Sequence, residues 1–253
     1  MSVANTAGVS GKTIIVTGAA QGIGRAIADA FRSEGANIIV ADIIEGEPFE
    51  KEAPGEVLVV KADITDDASL AAMVAAGEDR FGPVDVLINN AALFASEQLT
   101  PFADHSLDSF DRMMTVNVRG LYQASRAVLP SIERAGGGAI VNIGSGTVFK
   151  GPPGLLSYVA SKGAVHAMSS AMARELGPKN IRVNCIAPSF TLSKNAADNE
   201  GFGAISQNVL QQRIIKRDML PDDLVGAARF LASDSSAFLT GQILNVDGGV
   251  HFH

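Results

Sequence analysis

The sequence predicts an α/β fold: a doubly wound parallel sheet of about seven strands, with helices on both faces, in a single domain. Three observations carry that expectation. Short runs rich in valine and isoleucine alternate with longer segments of helical period along almost the whole chain. Several of the runs lack polar alternation, as strands buried on both faces do. Neither an internal repeat nor a Pro- or Ser-rich linker divides the 253 residues, so 1–253 reads as one unit.

The elements follow in order. A first strand, 13–16, runs into the glycine-rich TGAAQGIG of 17–24, which opens a helix over 22–34. A second strand, 37–41, ends at Asp42, and a third, 57–60, leads to Asp63 and Ile64 in KADIT. After a helix over 67–80, the fourth strand, 84–88, ends in Asn89 and Asn90 of LINNAA. One long helix is expected over 105–134, its apolar face interrupted by Asn117. The fifth strand, 139–143, carries Ser145 beyond its end, and a helix over 157–177 precedes the sixth strand, 181–186. Over 189–220 the alternation lapses, and Gly201 and Gly203 flank Phe202, which suits either a mobile lid over a site or a surface loop with a short helix. A helix over 221–232 and a last strand, 243–246, close the chain.

Bulk properties narrow the class without reaching chemistry. Hydrophobic residues make up 47% and charged ones 19%, so a large share of the chain should be buried. Mean hydropathy is +0.21, yet no apolar run reaches the roughly 18 residues of a membrane span. The start, MSVANTAGVSGK, lacks the basic-then-apolar pattern of a secretory signal. A lone cysteine, Cys185, excludes an internal disulfide and suits a reducing cytoplasm. A net charge of −7 with scattered Lys and Arg speaks against a nucleic-acid partner.

The glycine turn is the first chemical signal. Gly18, Gly22 and Gly24 permit a tight turn whose backbone N–H groups can approach a pyrophosphate at a helix N-terminus. Many strand-to-helix turns need glycine for steric reasons alone, but here a carboxylate, Asp42, ends the next strand. An acid there accepts hydrogen bonds from an adenosine ribose and repels a 2′-phosphate, which favours NAD over NADP. Arg25 is the one nearby cation that would complicate this preference. The polar residues at the carboxyl ends of the third and fourth strands would line the same crevice.

SYVASK, 157–162, is the second signal. On a helix, Tyr158 and Lys162 share a face. An unperturbed phenol has a pKa of about 10. A neighbouring ammonium and an oxidised nicotinamide ring would lower it, a shift of about 3 units needing roughly 4 kcal/mol. Taken alone, the pair reads more readily as a tyrosine stacked on a lysine stem. Ser145, thirteen residues earlier at a strand end, changes the balance because its hydroxyl can bind the oxygen on which Tyr158 acts. Asn117 can bind a water that relays protons to Lys162, or back-bond its own helix.

Together, T-G-x-x-x-G-x-G, N-N-A, Ser followed by Y-x-x-x-K, and the closing FLTGQILNVDGG of 238–249 resemble the short-chain dehydrogenase/reductase family over essentially the whole length. The resemblance implies a Rossmann-like fold, NAD(P)-dependent hydride transfer and a tetrad of Asn117, Ser145, Tyr158 and Lys162. It also implies a cofactor set of Gly18, Gln21, Gly22, Ile23, Gly24, Asp42, Asp63, Ile64, Asn90, Ala91, Pro188 and Thr191, joined by Tyr158 and Lys162. Two positions depart from the family pattern: Ser189 replaces a glycine after Pro188, and Ala92 fills the glycine slot of N-N-A-G.

The segments such proteins use for substrate contribute Phe94, Ser145, Thr147, Phe149, Tyr158, Phe190 and Phe202. This largely apolar lining suits a hydrophobic, aromatic or cyclic secondary alcohol and its ketone, or a sugar-like analogue. Only Lys150 and Lys194 could anchor an acid. Rival readings are a 3-oxoacyl-type ketoreductase of the same family, disfavoured by Asp42 and the acidic surface, and a cofactor-bound regulator or an apolar-ligand binder, both disfavoured by the acid–base set. No metal is expected, because His251 and His253 at the chain end are a weak pair. On the 157–177 helix, Ala160, Ala164, Ala167 and Ala171 form a methyl stripe, while Val165, Met168, Met172 and Leu176 form a bulkier one. Two apolar stripes need two partners, so a homodimer or homotetramer is expected.

Overall fold

The computed structural model describes residues 8–94, 99–193 and 203–252. Among them seven strands, β1 (Thr13–Thr17), β2 (Asn37–Asp42), β3 (Val57–Lys61), β4 (Val86–Asn89), β5 (Gly138–Ile143), β6 (Ile181–Pro188) and β7 (Ile243–Val246), form one sheet. Their order is β3-β2-β1-β4-β5-β6-β7, and every pairing is parallel. The order reverses between β1 and β4, and ligands of open α/β sheets bind beyond the strand ends at such a point.

Alternation along the strands explains why both faces are buried. Ile14 and Val16 of β1 pack into one core with Ile27 and Phe31 of α1 (Gly22–Ser33) and Ala228 and Leu231 of α8 (Val225–Ala232). Ile15 points the other way. There it meets Leu70 and Met73 of α2 (Asp67–Phe81) and Val128 and Ile132 of α4 (Leu121–Arg134). The edge strand β3 alternates instead, and its Val59 is exposed.

The long helix expected over 105–134 is built in three parts. Ser106 caps α3 (Leu107–Met114), accepting from the Ser109 N–H at 3.1 Å. A π-helical turn over Thr115–Gly120 then carries Asn117 into the interior before α4 continues. Such insertions of one wider turn often accompany functional sites. In α6 (Leu156–Leu176) the bulky stripe faces the sheet: Val165 is buried, with Met168, Met172 and Leu176 packed against the cores. Ala160, Ala167 and Ala171 face outward. Within 189–220 the described residues form a helix, α7 (Gly203–Gln212), and no helix among the described residues is long and apolar enough to cross a membrane.

Candidate active site

A cleft of about 780 Å³ lies along the carboxyl edge of the sheet, from Asp42 and Asp63 at one end to Ser145 and Tyr158 at the other. The glycine turn forms its floor. Gly18 and Gly22 have φ of +64° and +60°, which strains any L side chain. A Cβ on Gly18 would lie 2.6 Å from the Ala91 Cα, and one on Gly24 2.5 Å from the Asn90 amide nitrogen. Close packing of the turn against the end of β4 therefore excludes side chains. Gln21, at the N-cap of α1, makes no side-chain capping bond, and the first turn holds no acid, so the first N–H groups there carry no side-chain acceptor.

Asp42 ties this turn to β2. Its carboxylate accepts the Ala20 N–H at 2.9 Å and the Ile44 N–H at 3.2 Å. A carboxylate offers about four acceptor positions, so capacity remains towards the cleft. Arg25 is committed elsewhere: it pairs with Asp29, donates to the Glu47 and Pro48 carbonyls, and stacks 3.7 Å from the centroid of Phe49. It does not reach the cleft lining. Asp63 accepts from the Thr65 N–H and hydroxyl, and Ile64 lies against Gly120. The Asn90 amide donates to the Thr17 and Gly18 carbonyls at 3.0 and 2.8 Å, stapling β4 to the glycine turn.

At the other end, α5 (Thr147–Lys150) begins just after Ser145. The Ser145 hydroxyl accepts from the Thr147 hydroxyl at 2.9 Å and the Thr147 N–H at 3.2 Å, so its own proton is available for donation towards Tyr158 or a ligand oxygen. Tyr158 and Lys162 sit on the buried face of α6. Lys162 donates to the Ile143 carbonyl at 2.8 Å. Burial, rather than the lysine expected to lower it, dominates the Tyr158 pKa. Burial pushes the Tyr158 phenol up to about 12, against a hydrogen bond with Ser145 that acts downward. Burial likewise pulls Lys162 down to about 8, with the Cys185 thiol acting in the opposite direction. Desolvation thus moves both groups towards their neutral forms.

Asn117 does not line the cleft. Its side-chain oxygen accepts the Leu93 N–H at 2.7 Å, and its amide donates to the Leu93 carbonyl and the Ser161 hydroxyl, each at 3.1 Å. It clamps the segment after β4 against α6. Ala91, Pro188 and Thr191 line the cleft with Ile23, and Thr191 donates to the Ser189 carbonyl at 3.1 Å. Phe94 packs on Tyr158 at 4.6 Å between ring centroids and on Phe190 at 6.4 Å, giving the cleft an aromatic wall. Phe149 is not brought to this wall: its ring sits 5.6 Å from both His166 and His251, and it is 41% exposed. Phe202 and Lys194 lie outside the described residues.

One residue that the sequence offered only as half of a weak metal-binding pair belongs to the site. His251 lines the cleft, its Nδ1 2.9 Å from the Asp247 carboxylate. The acid of an Asp-Gly-Gly turn four residues ahead of a histidine was the signal. Among the described residues, no group of three or more metal-ligating side chains is found.

A parallel sheet with a reversed strand order, a glycine turn at its switch point and a serine, tyrosine and lysine beside it define a dinucleotide-binding oxidoreductase class. Residues 18–251 match the family model described as enoyl-(acyl carrier protein) reductase. The chain is 39% identical over 245 residues to an uncharacterised oxidoreductase of Mycobacterium tuberculosis, covering 94% of this chain and 96% of that one. It is 35% identical to the 7alpha-hydroxysteroid dehydrogenase of Escherichia coli K12, covering 95% and 94%. It also superposes on the 3-ketoacyl-(acyl-carrier-protein) reductase of Brucella melitensis, solved in complex with NADH. There the TM-score is 0.85 at 31% identity, with 96% of this chain and all of that one covered. The chain belongs to the short-chain dehydrogenase/reductase family and is an oxidoreductase of it.

Proposed function

We propose that the protein interconverts a secondary alcohol and its ketone using NAD. The observation that carries this reading is the single cleft joining Asp42, at the adenosine end, to Ser145, Tyr158 and Lys162. The residues fit a dinucleotide: an uncapped helix N-terminus for the pyrophosphate, carboxylate capacity on Asp42 for ribose hydroxyls, and, among the described residues lining the cleft, no cation beside Asp42, since Arg25 is held elsewhere. A bound nicotinamide supplies the hydride acceptor or donor.

The chain's own residues handle the proton. In reduction, the neutral Tyr158 phenol donates its proton to the ketone oxygen, which Ser145 also holds by donating its hydroxyl. In oxidation, Tyr158 as phenolate takes the hydroxyl proton while Ser145 orients the same oxygen. Lys162 contributes positive charge beside the phenolate and holds the nicotinamide ribose. Asn117 acts by fixing Leu93 and the neighbouring backbone. The apolar wall of Phe94, Phe190 and Leu155 selects a largely hydrophobic or cyclic carbon frame. Phe190, Thr191, Asn208, Val209 and Gln212 line the cleft, which supports a lid role for the described part of 189–220. Exposed Leu107, Tyr122 and the outward methyl face of α6 fit self-association as a homodimer or homotetramer.

A second reading is supported by relatives named 3-oxoacyl-(acyl-carrier-protein) reductase, among them that of Thermotoga maritima at 33% identity. The NADH complex of the Brucella protein weakens the argument that an NAD preference speaks against such a substrate. A scan of secondary alcohols, plain ketones and 3-oxoacyl thioesters with NAD(H) and NADP(H), following reduced-cofactor absorbance, tests both. The first reading expects NAD-linked turnover of alcohols; turnover confined to the thioesters would replace it with the second.

A further inference from the structure

We propose that Lys150, with Asn208 and Gln212 of α7, binds an anionic group of the substrate, so that the preferred substrate is a hydrophobic or cyclic secondary alcohol carrying a carboxylate away from the reacting carbinol. This deepens the dehydrogenase reading above and rests on it.

The cleft is charged unevenly. Its lining carboxylates, Asp42 and Asp63, both sit at the adenosine end. At the other end, among the described residues, the lining holds no carboxylate, and Lys150 is its one lysine or arginine besides Lys162. Lys162 is committed to the Ile143 carbonyl and to its place beside Tyr158. Asp247 acts on Lys150 as a counter-charge, but it does not line the cleft and already accepts from the His251 ring and three backbone N–H groups. An anion in the cleft therefore meets Lys150 with no carboxylate beside it in the lining.

Polar partners face the lysine from the other side. Asn208, Val209 and Gln212 line the cleft at i, i+1 and i+4 of α7. Lys150 donates to the Gln212 side-chain oxygen, and the Gln212 amide donates to the Asn208 side-chain oxygen at 2.7 Å. An ammonium carries three donors, so the bond to Gln212 leaves two for a ligand. Lys150 is exposed, and a molecule in the cleft can reach it.

Reach and charge choose the anion. Thr147, which bonds Ser145, and Lys150 are the two ends of α5, about 5 Å of helical rise apart. A carbon frame therefore separates the anion from the oxygen that Ser145 and Tyr158 hold, and Phe94, Phe190 and Leu155 wall that frame. One ammonium balances the single charge of a carboxylate, whereas a phosphate monoester brings nearly two.

The test compares kcat/KM with NAD for 4-(1-hydroxyethyl)benzoate, its methyl ester and 1-phenylethanol in the wild type, Lys150→Gln, Lys150→Arg and Gln212→Leu. The wild type should favour the acid over its ester by at least about tenfold, mainly through KM, and the preference should shrink as salt is raised. Lys150→Gln should collapse the acid-to-ester ratio, and Lys150→Arg, which keeps the charge, should retain part of it. Gln212→Leu, which leaves the ammonium in place, should lower the ratio less. Were Lys150 only a latch between α5 and α7, Lys150→Gln and Gln212→Leu would slow acid and ester alike and leave the ratio unmoved. That result, or equal use of acid and ester by the wild type, would overturn the assignment while leaving the dehydrogenase reading intact. Turnover of none of the three alcohols would remove that reading and this inference together.

Discussion

The Lys162 nitrogen lies 5.8 Å from the centroid of the Tyr158 ring, one helical turn away on α6, and both side chains are buried. Two groups that alcohol oxidation needs charged are thus held where burial favours their neutral forms. The site is costly in stability, and the cofactor's positive charge becomes part of its electrostatic balance.

That cost has a pH signature. Lys162 titrates at about 8 in the folded protein against an ordinary 10.5, so between these values the unfolded chain binds a proton that the folded one does not. Its contribution is fully present above 10.5 and is lost as pH falls to about 8, a shift corresponding to about 3 kcal/mol. Lys162→Met removes this dependence but also the bond to the Ile143 carbonyl. The melting temperature of the variant relative to wild type should therefore be higher at pH 7 than at pH 10. A difference that does not change with pH would contradict the buried, neutral-leaning lysine.

Cofactor choice turns on Asp42. The wild type should prefer NAD, and Asp42→Ser combined with Ile43→Arg should move the preference towards NADP, measured as the ratio of kcat/KM values. Asp42→Ser should also lower the melting temperature, because the Ala20 N–H loses its carboxylate partner. Equal or better use of NADP by the wild type would defeat this account.

Assembly follows from faces left uncovered. Leu107 and Phe102 are about four-fifths exposed, and Phe238 and Phe252 are exposed on other parts of the chain. Light scattering at micromolar concentration should give a dimeric or tetrameric mass, and a monomeric mass would refute self-association.

How much of this was legible beforehand depends on whether the signal was local. The strands were readable because Val and Ile runs buried on both faces carry no polar alternation, and the observed β1, β5 and β7 depart from the expected limits by one residue at most. The fourth strand starts later than expected, at Val86, because the Asp85 carboxylate is used to accept the Thr13 N–H. The π-turn around Asn117 was not legible: one additional residue in a helical turn leaves the apolar period nearly unchanged, and only the tertiary bonds to Leu93 and Ser161 reveal it. Tyr158, Lys162 and Ser145 were found by spacing, but the direction of the Tyr158 and Lys162 pKa shifts depends on depth of burial, which spacing does not encode. His251 was missed because its place depends on the carboxylate of Asp247 gathering the chain end back towards Gly146.

The central claim is that Tyr158 moves the proton of the reacting oxygen, and Tyr158→Phe tests it most directly. With the phenol removed and the ring kept, NADH should bind as in the wild type, while kcat on the true substrate falls by at least about two orders of magnitude. In the wild type, oxidation should rise with pH along a limb lying below about 12, the value that burial and the Ser145 hydrogen bond together give the phenol, because the oxidised nicotinamide adds positive charge. That limb should be absent from Tyr158→Phe. Near-normal turnover by Tyr158→Phe, with the alkaline limb intact, would show that another group carries the proton and that Tyr158 only packs against Phe94.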